Sequence, residues 1–230
     1  MQPDELLLIL HTAEKLKDTT RHCCTSGGRR ESVAEHSWRL ALMAFFLRDE
    51  FPRADMDKVL RMCLIHDLGE CFTGDIPSFS KTPADEAREE RLLHAWVDAL
   101  PAPYAAEMRT LYREMAALET EEAKIYKALD KLEAVIQHNE SDLSTWTENE
   151  YSLNLTYAES NVAFSPYLTA PRQPRSQFSR RSGSHSGVLR PNGHHRSARV
   201  YHVRQLRALL HVQRRSGVGE AGPPGLRRQQ

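Results

Sequence analysis

The sequence predicts an all-α fold, and three observations carry that prediction. Apolar residues recur at helical spacing over most of the first 170 positions, no stretch alternates with the two-residue period of a strand, and helix start signals stand ahead of several periodic runs. With 230 residues, 40% of them hydrophobic and 27% charged, the chain has enough apolar material for a sizeable core and the balance of a soluble globular protein.

Residues 4–17 read as an amphipathic helix with Leu6, Leu7, Ile9, Leu10, Ala13 and Leu16 as its apolar stripe. A polar loop over residues 18–31 follows, carrying Arg21, His22, Gly27, Gly28, Arg29 and Arg30. Ser32-Val33-Ala34-Glu35 is a capping box, in which the serine and glutamate side chains satisfy amides that a first helical turn leaves free. The helix it opens is expected to reach about residue 50, with His36 in its first turn and Trp38, Leu42, Phe45 and Phe46 in the core. Asp55 or Asp57 caps the next helix, whose Val59, Leu60, Cys63 and Leu64 face inward and which delivers His66 and Asp67. Gly74-Asp75-Ile76-Pro77 ends that region in a turn, and Thr82-Pro83-Ala84-Asp85 starts another helix with proline at its first position. Helices are expected over residues 85–100, 104–118 and 120–140, then a shorter segment over 150–163. In the third, Ile125, Leu129, Leu132 and Ile136 form the stripe, with Asp130 beside it.

Composition changes near Pro171, which divides the chain into a body, 1–170, and a tail, 171–230. The tail holds thirteen arginines and one acidic residue, Glu220, while all seven lysines precede residue 132. A formal net charge of zero therefore conceals an acidic body and a basic tail. Rich in Ser, Arg, Gly, Pro and His, the tail is expected to be mostly disordered, with helical period only over 198–212. It reads as a basic arm making non-specific nucleic-acid contacts through phosphates, as a low-complexity extension, or as out-of-frame sequence. The last accounts for the joint loss of Lys, Asp and helical period.

Membrane insertion is not expected, because no apolar run approaches the roughly 20 residues that span a bilayer. Acidic residues precede Leu6, unlike a signal peptide. Cys23, Cys24, Cys63 and Cys71 lack the spacing of a disulfide framework, so reduced thiols in a cytoplasmic protein are expected.

The chemistry centres on His66-Asp67-Leu68-Gly69-Glu70. If the helix continues through this stretch, Glu70 lies one turn from both His66 and Asp67 and shares their face. An imidazole and two carboxylates around one small volume suit a divalent metal and water. Two further ligands come from other helices: His36, after the capping box, and Asp130, at the edge of a buried stripe where an unpaired carboxylate is costly. Two histidines and two aspartates make a mixed N/O site for Mn²⁺, Co²⁺ or Mg²⁺, with Fe²⁺ and Zn²⁺ also compatible. Taken singly, His36 also reads as a capping or core histidine, Asp130 as a surface charge paired with Lys127 or Lys131, and Cys71 as a packed thiol.

His36, the pair His66-Asp67 and Asp130 resemble the H…HD…D signature of HD-domain metal-dependent phosphohydrolases. Glu35-His36-Ser37, His66-Asp67-x-x-Glu70-x-x-x-Gly74-Asp75 and Glu122-Ala123-Lys124-x-x-Lys127-x-Leu129-Asp130 resemble the 5′-deoxynucleotidase branch. The similarity covers about residues 4–170. It implies an HD-domain helical bundle with His36, His66, Asp67 and Asp130 as metal ligands and Glu70 as the catalytic carboxylate. It further implies that Asp75 holds water or sugar, and that Arg21, fifteen residues before His36, contacts phosphate. The next residue, His22, stands where bacterial relatives have tryptophan, and it is expected at the substrate. Lys81, Arg29 and Arg30 read equally as phosphate attractors or as solvated loop charges, and Glu114 is expected near the sugar. The implied reaction is hydrolysis of deoxynucleoside 5′-monophosphates to deoxynucleoside and phosphate, with a homodimer by analogy. The alternatives are the same site acting on another small phosphate ester or nucleotide, and a non-catalytic ligand-binding HD domain.

Overall fold

Where the sequence places a start signal, a helix starts. The computed structural model describes residues 1–169. Ser32 accepts a hydrogen bond from the Glu35 amide at 3.2 Å and the Glu35 carboxylate takes the Ser32 amide at 2.9 Å, so the capping box opens α2, Val33–Leu47. Asp55 caps α3, Met56–Ile65, through the Lys58 amide, and Thr82 and Thr120 cap α5, Pro83–Asp98, and α7, Glu121–Glu140. Before these come α1, Pro3–Glu14, and a tight turn of helix at Lys15–Lys17. The short α4, Glu70–Thr73, precedes α5, and α6 covers Ala102–Ala117. After α7 the chain makes three small helices: α8, Glu148–Leu153, α9, Glu159–Val162, and α10, Pro166–Thr169.

The core lies where α2, α3 and α7 meet, with α6 closing one side of α7. Val33, Leu40 and Ala44 from α2, Val59, Met62 and Cys63 from α3, and Ile125 and Leu129 from α7 are buried there. Cys71 packs with Leu16 and Val33, as a thiol among apolar side chains.

Four expectations are corrected. The segment after α1 is not a loop but an antiparallel hairpin, β1, Thr20–Cys24, paired with β2, Arg30–Ser32. Its register shifts between Thr20 and Cys24, and its buried residues, Cys23, Glu31 and Ser32, do not alternate with exposed ones, so no two-residue hydrophobic alternation announces it. In α2, Trp38 and Phe46 are 63% and 66% exposed, and Leu42 and Phe45 also face out. The helix is apolar on both sides, and its inner face is the one carrying His36 and Ser37. Leu64 of α3 likewise points outward while Met56 and Met62 point in. The stripe of α1 stays uncovered at Leu6, Leu7 and Leu10, and only Leu16, beyond its end, is buried.

The chain does not run helically through the HD pair either. α3 ends at Ile65, whose carbonyl accepts the Tyr112 hydroxyl at 2.6 Å. Residues 66–69 then make tight i→i+3 turns, with the Glu70 amide donating to Asp67 at 3.0 Å, before α4 begins. Gly74 ends α4 at φ +76°, a conformation that side chains disfavour, and so turns Asp75 back toward the HD pair. The expected disordered tail and its 198–212 helix lie outside the described residues. Among the described residues no helix is long and apolar enough to cross a membrane, and all four cysteines are free.

Candidate metal centre

Four side chains from three places in the fold converge. The Nε2 atoms of His36, on the first turn of α2, and His66, at the end of α3, are 3.2 Å apart. Asp67 Oδ2 lies 2.9 Å from His66 Nε2 and 3.8 Å from His36 Nε2, and Asp130 Oδ1, from the middle of α7, lies 3.3 Å from His36 Nε2 and 3.9 Å from His66 Nε2. Donors around one ion at about 2.1 Å stand roughly 3.0–3.5 Å apart when adjacent and farther when opposite, which is the range seen.

The outer nitrogens settle which way the rings face. His66 Nδ1 is 2.9 Å from the carbonyl of Cys63, which can only accept, so that nitrogen carries the proton. His36 Nδ1 is held by the carboxylate of Glu133, which is wholly buried. Both rings therefore aim Nε2 inward, and two neutral rings would set lone pair against lone pair beside two carboxylates. Such a donor set favours positive charge between the rings and the carboxylates, and its chemistry fits a divalent metal. The charges agree. Burial and Arg21 disfavour a proton on His36, yet the Asp130 and Glu133 carboxylates push its pKa up to about 9. Burial alone would raise Asp67 and Asp130. The His66 and His36 imidazoles, and for Asp130 chiefly Lys127 at 2.9 Å, hold both carboxyls well below the usual carboxylate range.

Asp67 and Asp130 form part of the wall of a cavity of about 290 Å³, near the lower limit for small-molecule sites. Glu70 and Asp75 line it too. Burial, then the neighbouring Asp67 and Asp75, push the Glu70 carboxyl up to about 10, and its buried Oε2 has no hydrogen-bond partner. Burial raises Asp75 as well, although Arg21 opposes it. The cations on this wall are Arg21, Lys81, Lys127 and Lys131.

Arg21 is not a free loop arginine. Its Nη1 lies 3.7 Å from Glu31 and 3.6 Å from Glu133, both buried, so two carboxylates fix it at the cavity edge. His22 lines the cavity with Nε2 2.8 Å from Glu150 Oε1 and its ring edge-on to Phe79. Three residues proposed from sequence fall elsewhere. Arg29 pairs with Glu35 on the surface, Arg30 reaches the Arg21 and His22 carbonyls at 3.3 Å, and Glu114 pairs with Lys58 at 2.8 Å away from the cavity. Sequence reasoning missed Glu133, although it sits one turn after Asp130 and shares its face. Nor did it single out His138 and Asn154, for which no local pattern exists.

A helical bundle with this His–His–Asp–Asp centre at the meeting of three helices defines a class, and the HD domain family matches residues 13–169. The chain belongs to the HD domain family. Among curated relatives, the 5′-deoxynucleotidase HDDC2 of Mus musculus is 37% identical over 112 residues, 48% of this chain and 55% of that protein. The 5′-deoxynucleotidase hdd1 of Schizosaccharomyces pombe is 27% identical over 154 residues, 60% of this chain and 77% of that protein. The chain spans about half the length of the first of these. Among solved structures, a predicted metal-dependent phosphohydrolase from Magnetospirillum magnetotacticum MS-1 superposes with a TM-score of 0.59 at 29% identity, covering 70% of this chain and 87% of that one.

Proposed function

We propose that this chain is a metal-dependent phosphomonoesterase that hydrolyses deoxynucleoside 5′-monophosphates to deoxynucleoside and inorganic phosphate, with the activity in residues 1–170. The observation that carries the reading is the convergence of His36, His66, Asp67 and Asp130, with both aspartates on the wall of a cavity that Glu70 and four cations also line. The similarity to proteins named 5′-deoxynucleotidase supports the substrate class.

His36, His66, Asp67 and Asp130 would hold the metal, and the N/O donor set suits Mn²⁺, Co²⁺ or Mg²⁺ first, then Fe²⁺ or Zn²⁺. When bound, it supplies a Lewis acid that neutralises phosphate charge and makes water acidic enough to react near neutral pH. The remaining steps belong to side chains. Arg21, held by Glu31 and Glu133, presents a fixed guanidinium to the phosphate dianion, and Lys127 adds charge beside Asp130. Asp75 positions water or the sugar hydroxyl at the cavity wall. Burial and the neighbouring Asp67 and Asp75 carboxylates favour a proton on Glu70. As the oxygen of water bonds to phosphorus and the P–O5′ bond breaks, Glu70 gives that proton to the departing 5′-oxygen, and the proton released by water restores the carboxyl.

The test is metal analysis of the purified full chain with phosphate release from deoxynucleoside mono-, di- and triphosphates in Mn²⁺ or Co²⁺. The expected result is one bound metal and phosphate from the monophosphates. Preferential turnover of triphosphates would replace this reading with another nucleotide phosphohydrolase. If wild type and Glu70→Ala both bind metal and are equally inert, the domain is a ligand-binding module.

A further inference from the structure

Beyond the metal end, the same cavity continues along α7 to a second group of polar side chains that the phosphate chemistry does not use: His22, His138, Glu150 and Asn154. His138 follows Asp130 by eight residues on α7, a rise of roughly 12 Å, comparable to the span of a nucleoside from its 5′-phosphate to the edge of its base. At this end the buried polar atoms without a hydrogen-bond partner are His22 Nε2, His138 Nε2 and Asn154 Nδ2. Asn154, directly after α8, is 9% exposed and its Nδ2 has no hydrogen-bond partner, and His138, 7% exposed, has none at Nε2. Glu150 Oε1 stands 3.6 Å from that nitrogen and 2.8 Å from His22 Nε2. An unmet buried donor costs free energy unless a ligand completes it. Among the lining residues Leu153, Ala134 and Phe79, which is 46% exposed, add apolar surface beside these polar groups. Apolar surface next to mixed donors and acceptors suits a planar heterocycle carrying both kinds of group. A sugar or a second phosphate would leave that apolar surface without a partner.

We infer that the His138–Asn154 end of the cavity binds the nucleobase, with the Asn154 carboxamide hydrogen-bonding its edge, and that the enzyme selects whole nucleotides over phosphorylated sugars. Resting on the nucleotidase reading, the inference adds to it the group that distinguishes substrate from a bare phosphate ester. The Asn154 carboxamide rotates readily about χ2, so it can offer either its oxygen or its nitrogen, and His138 and Glu150 add further polar groups. The site is therefore built to accept more than one base.

The experiment compares kcat/KM for deoxynucleoside 5′-monophosphates with that for 2-deoxyribose 5-phosphate, in wild type, Asn154→Ala and Phe79→Ala. The nucleotide-to-sugar-phosphate ratio is expected to fall roughly five- to tenfold in Asn154→Ala, the worth of one hydrogen bond. Loss of the Phe79 ring should lower it comparably. Phe79 lies at the surface, so this variant remains informative if Asn154→Ala does not fold. Direct binding of free deoxyadenosine and deoxycytidine, measured by calorimetry on the metal-loaded protein, separates the two readings. If no nucleotide is hydrolysed but the nucleosides bind wild type and bind Asn154→Ala more weakly, the base site stands and the nucleotidase reading falls. An unchanged ratio in both folded variants, or nucleosides that bind neither wild type nor variant, overturns the inference.

Discussion

The two ends of the cavity are built on opposite principles. Around Asp67 and Asp130 the groups are charged and crowded: the Asp67, Asp130 and Glu133 carboxylates each have an imidazole, lysine or arginine beside them, and Glu70 Oε2 is left without a hydrogen-bond partner. Around His138 and Asn154 the groups are a carboxamide, the His22 imidazole, the His138 imidazole, which burial keeps neutral, and a single carboxylate. A burial cost this large at the first end can be met only by a constellation, and a constellation leaves several residues of telling type in the sequence. At the second end a few hydrogen bonds suffice, and any of several residue types could make them. On the proposed function, chemistry falls at the first end and selectivity at the second.

The largest expected effect tests whether the charged end is one unit. Asp67→Ala or His66→Ala removes a donor and leaves the others facing one another, so bound metal should fall from one equivalent to near zero. Phosphate release should drop by about three orders of magnitude or more. Elemental analysis beside a phosphate assay checks both. A variant that keeps full metal and activity would mean the four residues do not share an ion.

Glu70→Gln sharpens the distinction between holding the metal and moving a proton. It should lower kcat by about 10²–10⁴-fold while metal content is retained. The same change should stabilise the metal-free protein. Burial raises the folded-state pKa of Glu70 to about 10, so between its ordinary value and that value the folded chain holds a proton that the unfolded chain has released. Its contribution to stability is fully present below the ordinary carboxyl range and is lost as pH rises toward 10. Glutamine carries no such proton. The gain in melting temperature from Glu70→Gln, about 2–6 °C at pH 8, should therefore shrink toward zero near pH 4. A pH-independent difference between the two melting curves would show that Glu70 is ionised in the folded protein.

Glu133 connects the cations to the metal end, since one carboxylate holds His36 Nδ1 and lies 3.6 Å from Arg21. Glu133→Gln preserves an acceptor for the ring but loses the charge, and should weaken metal affinity roughly 10–100-fold. Competition with a chelator measures it. If affinity is unchanged, the ring is oriented by packing alone.

How far these regions could be read from sequence follows the same division. His36, His66-Asp67 and Asp130 were legible because each interrupts a local pattern: a polar residue just inside a capping box, an HD pair closing an apolar run, an acid on a buried stripe. Glu133 was within reach, one helical turn from Asp130. His138, Glu150 and Asn154 were not, because they belong to α7, α8 and the turn after it, and polar residues of these types are common in all three settings. The site also misled the fold reading. By mixing His36 and Ser37 with Val33, Leu40 and Ala44 on the inner face of α2, while apolar residues also occupy the outer face, it blurred the amphipathic pattern, and Trp38 and Phe46 were assigned to the core they do not enter. The hairpin at residues 20–32 escaped notice because its two strands are short and irregularly paired, and only one of their buried residues, Cys23, is apolar.

The smallest expected effect marks where the catalytic region stops. Sequence similarity set Glu114 near the sugar, but the structure ties it to Lys58 at 2.8 Å, with Lys58 also 3.5 Å from Glu122. This triad joins α3, α6 and α7 on a side of the bundle that the cavity does not reach. Glu122 still reaches Lys58 when Glu114 is neutralised, so Glu114→Gln should cost less than about 1 kcal/mol of stability, the usual worth of an ion pair near solvent. It should change kcat/KM less than about twofold, because no group facing the cavity loses a partner. Denaturant titration and a phosphate assay measure the two separately. A fall in kcat/KM as large as that from Asn154→Ala, without loss of stability, would extend the substrate contact surface across α6 and erase the contrast between the charged end and its surroundings.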